Sequence, residues 1–153
     1  MRIVLTAAVL FLTACDSPSE PDDRWAVPED ITFAASLGVD LAEMTKTESG
    51  LYWQDITVGT GADSVDVEDD VSFHLTIWLP DGRSVYTTRN GAPEMNAVRL
   101  LIPGLAEGML AMRRDGVRKL VIRPELAWPN GRPDFDIPPI TTIVCEVQLM
   151  SIS

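Results

Sequence analysis

Apolar and polar side chains alternate over residues 71–79, and this pattern limits the fold more than any other feature of the chain. The odd-numbered positions are all apolar, whereas Ser72, His74 and Thr76 are polar. Successive side chains of a strand point to opposite faces, so the pattern predicts a strand with one buried face. Pro80-Asp81-Gly82 then predicts a tight turn into a partner strand at residues 83–88.

The rest of this region predicts further strands and one helix. In residues 105–114, Leu105, Met109 and Met112 have helical spacing, and two arginines stand near the C-terminal end, where the helix dipole favours cations. β-branched and aromatic runs bounded by glycine or proline predict strands at residues 51–58, 98–102, 117–123 and 142–150. One short helix against a mostly antiparallel sheet is an α+β domain.

The N-terminus predicts export. Arg2 precedes an apolar run over residues 3–12, and together with Leu12-Thr13-Ala14-Cys15 this is typical of a signal peptide spanning residues 1–14. A buried N-terminal helix is the alternative interpretation. The run is shorter than the ~20 residues that a membrane-spanning helix needs. Leu-Thr-Ala-Cys resembles a bacterial lipobox, which implies that Cys15 is lipidated and anchors the protein to a membrane.

Two segments are expected between the anchor and the domain. Residues 15–24 are acidic and contain two prolines, which predicts a disordered tether. Residues 25–46 predict a helical extension that begins near Pro28, with Phe33, Leu37, Leu41 and Met44 on one face. This extension either packs on the main domain or mediates self-association.

The formal net charge of −11 is concentrated in the first half of the chain. Between Asp16 and Asp70 there are 15 acidic and 2 basic residues, whereas later residues are nearly balanced. Such a surface argues against nucleic acid as a partner and against direct adhesion to anionic lipid. A solvated, solubilising face is the simpler explanation of the charge.

The chain has few residues suited to bond-making chemistry. His74 is the only histidine and has no Cys or His near it in sequence, so no metal site and no cofactor are expected. No Ser or Cys nucleophile has a recognisable base partner. Cys145 shares one face of a predicted strand with Ile143, Val147 and Leu149, so it is interpreted as a small buried hydrophobe without a disulfide partner.

Three motifs, taken in order, resemble the core of FKBP-type peptidyl-prolyl isomerases: Leu101-Ile102-Pro103-Gly104-Leu105, Glu125-Leu126-Ala127-Trp128 and Ile137-Pro138-Pro139. The resemblance covers residues 47–153. It implies a bent five-stranded antiparallel sheet wrapped on one short helix, with a small apolar cleft that accepts the Xaa-Pro bond of polypeptide substrates. Such isomerisation needs no metal and no cofactor, because no bond is made or broken.

The resemblance also assigns site residues. It implies that the backbone N–H of Ile102 binds the substrate carbonyl and that Trp128 stands where the family has a hydrogen-bonding tyrosine. Tyr86 occupies a third position assigned to catalysis. The expected substrate-binding residues are Leu75, Val85, Leu101, Leu105, Ile137 and Cys145.

Several of these positions depart from the family pattern. Leu75, Val85, Tyr86 and Cys145 stand where the family has a Tyr, a Phe-Asp pair and a Phe, which predicts a wider, more aliphatic cleft and lower activity. We therefore expect a lipid-anchored isomerase of the cell envelope that assists the folding of exported proteins. A non-catalytic binding module with the same fold, working through the acidic front half and the loop of residues 129–136, is the alternative.

Overall fold

The computed structural model describes residues 27–153. The expected signal peptide, Cys15 and the tether lie outside these residues. The described chain forms seven strands and one α-helix, together with single 3₁₀ turns. The elements are β1 Thr45–Lys46, β2 Tyr52–Thr57, β3 Asp70–Trp78, β4 Ser84–Thr87, β5 Glu94–Ala97, α1 Pro103–Met109, β6 Val117–Ile122 and β7 Ile143–Ile152.

All seven strands belong to one antiparallel sheet, which confirms the predicted α+β class. The strand order is β1-β2-β6-β7-β3-β4. The strand β5 pairs with the same edge of β3 as β4 does, since β7 occupies the other edge. The two ends of β3 have different partners, since Asp70–Phe73 pair with β5 and Thr76–Trp78 pair with β4. The resemblance implied five strands; the short strands β1 and β5 bring the number to seven among the described residues.

The predicted strand at residues 98–102 is wrong. Val98–Leu100 form a 3₁₀ turn in which the carbonyl of Val98 accepts from the N–H of Leu101. The adjacent strand is β5, which lies just before this segment. The apolar run suggested an extended segment, but Val98 is buried while Leu100 is 72% exposed, so the run does not present one continuous apolar face.

The predicted helix at residues 105–114 is shorter than expected, since α1 ends at Met109. Leu110 leaves the helical region with φ −54° and ψ 142°, and Ala111 has a positive φ of 60°. The N–H of Ala111 donates to the carbonyl of Val65 at 3.0 Å, and the N–H of Val65 donates to Met112. These long-range backbone bonds replace the last turn that the apolar spacing predicted.

One face of the sheet packs against α1 and forms the main core. The odd-numbered residues of β3 lie in this core, as the alternation predicted, together with Leu105 and Met109 of α1. The helix lies very close to β6 because a methyl group on Gly104 would stand 2.3 Å from Cγ2 of Ile122. Close packing fixes the N-terminal end of α1 relative to the sheet.

A buried arginine fixes the other end of α1. The guanidinium of Arg118 donates to the carbonyls of Gly108 at 2.9 Å and Leu110 at 3.0 Å. The same group forms an ion pair with Asp55 at 2.7 Å and lies 4.2 Å from the centre of the Trp53 ring. Carbonyls at a helix end have no partner within the helix, and here a cation supplies it.

The N-terminal extension covers the opposite face of the sheet. The prediction of one continuous amphipathic helix is wrong, because the segment forms three single 3₁₀ turns, at Pro28–Asp30, Ala35–Leu37 and Leu41–Glu43. Gly38 ends the second turn with a positive φ of 55°, a conformation that interrupts a helix. Leu37 and Met44 nevertheless pack on the sheet, as the docking interpretation required. No helix of residues 27–153 has the length and apolar character needed to cross a bilayer.

Candidate active-site cleft

A cleft of about 330 Å³ opens between the sheet, the start of α1 and the loop of residues 128–137. This volume is at the lower end of the ~300–1,000 Å³ typical of small-molecule pockets, so the cleft suits one small group. Most of the lining is apolar. It consists of Leu75, Ile77, Tyr86, Glu94, Asn96, Leu100, Leu101, Ile102, Leu105, Trp128, Arg132, Phe135 and Cys145.

The base of the cleft is aliphatic. Leu75 of β3, Leu105 of α1 and Cys145 of β7 are 5%, 4% and 1% exposed, so they belong to both the core and the lining. Burial raises the pKa of the Cys145 thiol, because an apolar surrounding disfavours the thiolate. Cys145 is therefore a packing residue and not a nucleophile.

Ile102 offers a free backbone donor at the edge of the cleft. Its carbonyl accepts from the N–H groups of Leu105 and Ala106, both at 3.0 Å, at the start of α1. Its own N–H has no acceptor among residues 27–153. An N–H group next to an apolar base can bind an incoming carbonyl with little competition from the protein.

Three aromatic rings form one wall of the cleft. Phe135 stacks on Tyr86, with ring centres 4.4 Å apart and an angle of 20° between the planes. Trp128 meets the same Phe135 edge-on, with ring centres 6.0 Å apart and an angle of 87°. The guanidinium of Arg132 lies 4.3 Å from the centre of the Phe135 ring and 5.1 Å from that of Trp128. Ring stacking and cation–π contact both favour this arrangement.

The loop that carries these groups folds back on itself. Arg132 and Ile137 exchange backbone hydrogen bonds of 2.8 Å and 3.1 Å, and the N–H of Ile140 donates to Pro129 at 3.0 Å. Gly131 turns the chain with a positive φ of 77°, and a Cβ there would stand 2.6 Å from the Ile137 carbonyl oxygen. Glycine is required for this close approach.

Tyr86 and Glu94 form a polar pair in the lining. The hydroxyl of Tyr86, on β4, donates to Oε1 of Glu94, at the start of β5. This hydrogen bond, with burial and the nearby charge of Glu94, raises the pKa of Tyr86 to about 12. The phenol of Tyr86 therefore keeps its proton, which it donates in the hydrogen bond to Glu94.

Seven of the nine cleft residues assigned from the sequence line the cleft. Val85 and Ile137 do not: Val85 packs half-buried against the core, and Ile137 is 3% exposed and holds the loop through its backbone. Substrate binding by any of the nine stays a prediction. The sequence-based assignment missed Ile77, Glu94, Asn96, Leu100, Arg132 and Phe135.

The missed residues carry different amounts of sequence signal. Ile77 shares the apolar face of Leu75, so the alternation could have identified it. Arg132 and Phe135 lie in the loop of residues 129–136, which the alternative interpretation as a binding module assigned to binding. Glu94 carries no such signal, because only the pairing of β5 with β3 brings it near Tyr86.

The described residues hold no evident metal site. Within residues 27–153, no three His, Cys, Asp or Glu side chains gather where they could bind one ion. His74 is half-buried on the polar side of β3, with Nδ1 3.2 Å from Oγ1 of Thr88.

Comparison with known proteins identifies the family. A family model described as FKBP-type peptidyl-prolyl cis-trans isomerase matches residues 61–150, which include the cleft-lining motifs. The chain belongs to this FKBP family. The FKBP-type 22 kDa peptidyl-prolyl cis-trans isomerase of Escherichia coli is 35% identical over 111 residues, covering 71% of this chain and 53% of that protein. The FKBP-type isomerase FkpA of the same species is 37% identical over 125 residues, covering 78% of this chain and 42% of FkpA.

A solved FKBP structure agrees with the fold. The crystal structure of FkpA from Escherichia coli superposes with a TM-score of 0.67 at 31% identity, covering 72% of this chain and 52% of that one. This FKBP chain therefore spans about half the length of these relatives.

Proposed function

We propose that this protein catalyses cis–trans isomerisation of Xaa-Pro bonds in polypeptides of the cell envelope and so assists their folding. The observation that carries the proposal is the free N–H of Ile102 beside an apolar cleft in an FKBP fold. Trp128 supports it, because its indole N–H also has no acceptor among residues 27–153 and can serve as a second donor.

The proposed mechanism needs binding and desolvation only. The barrier to rotation of an ordinary peptide bond is ~18–20 kcal/mol, because twisting removes the conjugation of the C–N bond. An apolar cleft disfavours the polar, planar ground state relative to the twisted state, which is less conjugated. The N–H of Ile102 would hold the carbonyl oxygen while the C–N bond rotates over Leu105.

We also propose that turnover is lower than in FKBP members with a fully aromatic cleft. Leu75 and Cys145 line the base in place of larger rings, so the cleft contacts a proline ring less closely. Tyr86, Trp128 and Phe135 restore part of the aromatic surface on one wall.

The proposed location is a membrane of the cell envelope, facing the periplasm or the exterior, with lipidated Cys15 as the anchor. The support is the sequence Leu12-Thr13-Ala14-Cys15 after an apolar run. The acidic segment that follows would separate the FKBP domain from the membrane surface.

A proline at position 102 tests the role of the N–H. Ile102 has φ −59°, and Leu101 before it has φ −73° and ψ 163°, so Ile102→Pro fits the backbone. The substitution removes part of a side chain and an N–H group that has no acceptor within residues 27–153. Ile102→Ala is the matched control, since it shortens the side chain and keeps the N–H. We expect Ile102→Pro to lower kcat/KM for Xaa-Pro exchange about tenfold relative to Ile102→Ala. Equal rates in two variants that unfold at similar temperatures would remove Ile102 from the mechanism.

A non-catalytic peptide-binding module is the second candidate. The observation that favours it is the hydrogen bond from Tyr86 to Glu94, which leaves the hydroxyl of Tyr86 unable to donate its proton to a substrate. NMR exchange spectroscopy on proline-containing peptides separates the two functions. Line broadening from binding without faster cis–trans exchange would support the module and contradict the isomerase.

A further inference from the structure

Two charged residues, Glu94 and Arg132, line the otherwise mostly apolar cleft. They come from different elements, because Glu94 begins the edge strand β5 and Arg132 lies in the loop of residues 128–137. A peptide whose proline occupies the cleft would present its neighbouring side chains to these groups. The two charges are therefore candidates for the determinants of sequence preference.

Arg132 already has partners within the protein. Its guanidinium lies against the rings of Phe135 and Trp128, at 4.3 Å and 5.1 Å from their centres. Cation–π contacts of this kind stabilise the charge in place.

Glu94 has a hydroxyl partner but no cation. Oε1 accepts from Tyr86, and no Lys, Arg or His nitrogen of residues 27–153 lies within 4.0 Å of the carboxylate. The side chain is half-buried beside apolar residues. A charge in this setting is less screened than one in open water, so it attracts a cation more strongly.

The surroundings of Glu94 suit a long basic side chain. Asn96 and Leu100 line the same cleft, and Leu100 is 72% exposed. The methylene stem of a Lys or Arg can lie on this leucine while its charged end reaches the carboxylate.

We propose that Glu94 selects Xaa-Pro segments in which a Lys or Arg stands next to the proline. This inference rests on the proposed function of the cleft and names its substrate class. Tyr86 positions the carboxylate through its hydrogen bond and does not itself contact the basic side chain.

Peptides that differ at one residue test the inference. Two sets carry Lys or Glu immediately before or immediately after the proline, and kcat/KM for exchange is measured by NMR for each peptide. We expect the protein to favour Lys over Glu about fivefold in at least one set. We expect the Lys/Glu ratio of kcat/KM to fall toward one in Glu94→Gln and to be partly reduced in Tyr86→Phe. The wild-type ratio should also decrease as salt is added.

Glu107→Gln is the matched control. Glu107 is also a half-buried carboxylate that accepts a hydroxyl hydrogen bond, from Ser49 at 2.7 Å, but it does not line the cleft. Its variant is expected to keep the wild-type Lys/Glu ratio. A wild-type ratio near one in both sets, or a ratio that Glu94→Gln leaves unchanged, overturns the inference.

Peptide binding measured by the intrinsic tryptophan fluorescence of the protein separates this inference from the proposed function. Tighter binding of the Lys peptides without faster exchange would contradict the isomerase and support the charge preference. Faster exchange that does not depend on the charge beside the proline would support the isomerase and contradict the charge preference. If none of the peptides binds, both proposals are wrong.

Discussion

Phe135 contacts two aromatic rings that come from different parts of the fold. It stacks on Tyr86 of β4 and meets Trp128 at the start of its own loop. Leu75 and Cys145 of the strands are not aromatic, so this loop residue adds to the aromatic surface that Tyr86 alone supplies from the strands. The expected loss of aromatic lining is thus partly compensated from a position that no strand pattern identifies.

We expect Phe135→Ala to weaken the binding of proline-containing peptides about tenfold, because Tyr86 and Trp128 both lose a ring contact. Isothermal titration calorimetry with one peptide measures the change. Phe33→Ala is the control, since Phe33 is a half-buried phenylalanine on the opposite face of the sheet. Its variant should keep the wild-type affinity. If Phe135→Ala binds peptide as tightly as the wild type, the aromatic wall has no part in binding.

The Tyr86–Glu94 pair predicts a specific behaviour in alkali. The folded-state pKa of Tyr86, about 12, lies above the ordinary value of 10, so the folded state favours the protonated phenol. The stability from this pair is fully present below pH 10 and is lost as the pH rises from 10 to 12. Tyr52 is the only other tyrosine, so ultraviolet titration of Tyr52→Phe isolates Tyr86. A native phenol that ionises near pH 10 contradicts the pairing.

At the scale of elements, the sequence predicted those strands in which apolar and polar residues alternate regularly. The alternating residues of β3 and β7 are one example, since Phe73, Ile77 and Leu149 are buried as expected. Elements defined by distant contacts were missed. The strand β5 reads Glu-Met-Asn-Ala, which alternates but is only four residues long and contains no β-branched or aromatic residue, so its pairing with β3 is what makes it a strand. This is also why Glu94 was not identified as a cleft residue.

The contact between α1 and β6 reverses the usual effect of replacing a helical glycine. Gly→Ala ordinarily stabilises a helix by ~1 kcal/mol. At Gly104 the added methyl would stand 2.3 Å from Cγ2 of Ile122 and 3.2 Å from Cβ of Leu126, so we expect a loss of about 1–3 kcal/mol. Urea unfolding measures this difference.

A double-mutant cycle distinguishes this clash from a general effect on the helix. Ile122→Ala removes the methyl that opposes position 104, so Gly104→Ala should cost less in that background than in the wild type. Additive losses would indicate that the two positions do not interact.

At the scale of the whole molecule, the two faces of the sheet pack against different parts of the chain. One face packs on α1 and contributes to the base of the cleft, whereas the other carries the extension. Glu29 of the extension accepts from Lys46 and Tyr52, and these partners lower its pKa to about 2. The extension is thereby held on the side of the sheet that faces away from α1. None of residues 27–46 lines the cleft.

The proposed anchor makes the two cysteines of the chain differ in one measurable way. Cys15 follows the apolar run in the lipobox-like sequence, whereas Cys145 is 1% exposed inside the domain. In a bacterial host that makes lipoproteins, Cys15→Ser should move the full-length chain from the membrane fraction to the soluble fraction and abolish labelling by palmitate. Cys145→Ala is the control and should remain labelled and membrane-bound, because a buried thiol cannot take part in anchoring.

Two or more acyl chains hold a protein far more firmly than one, so partial release of the wild type is not expected. Retention of Cys15→Ser in a carbonate-washed membrane would contradict the lipid anchor and favour an uncleaved N-terminal segment instead.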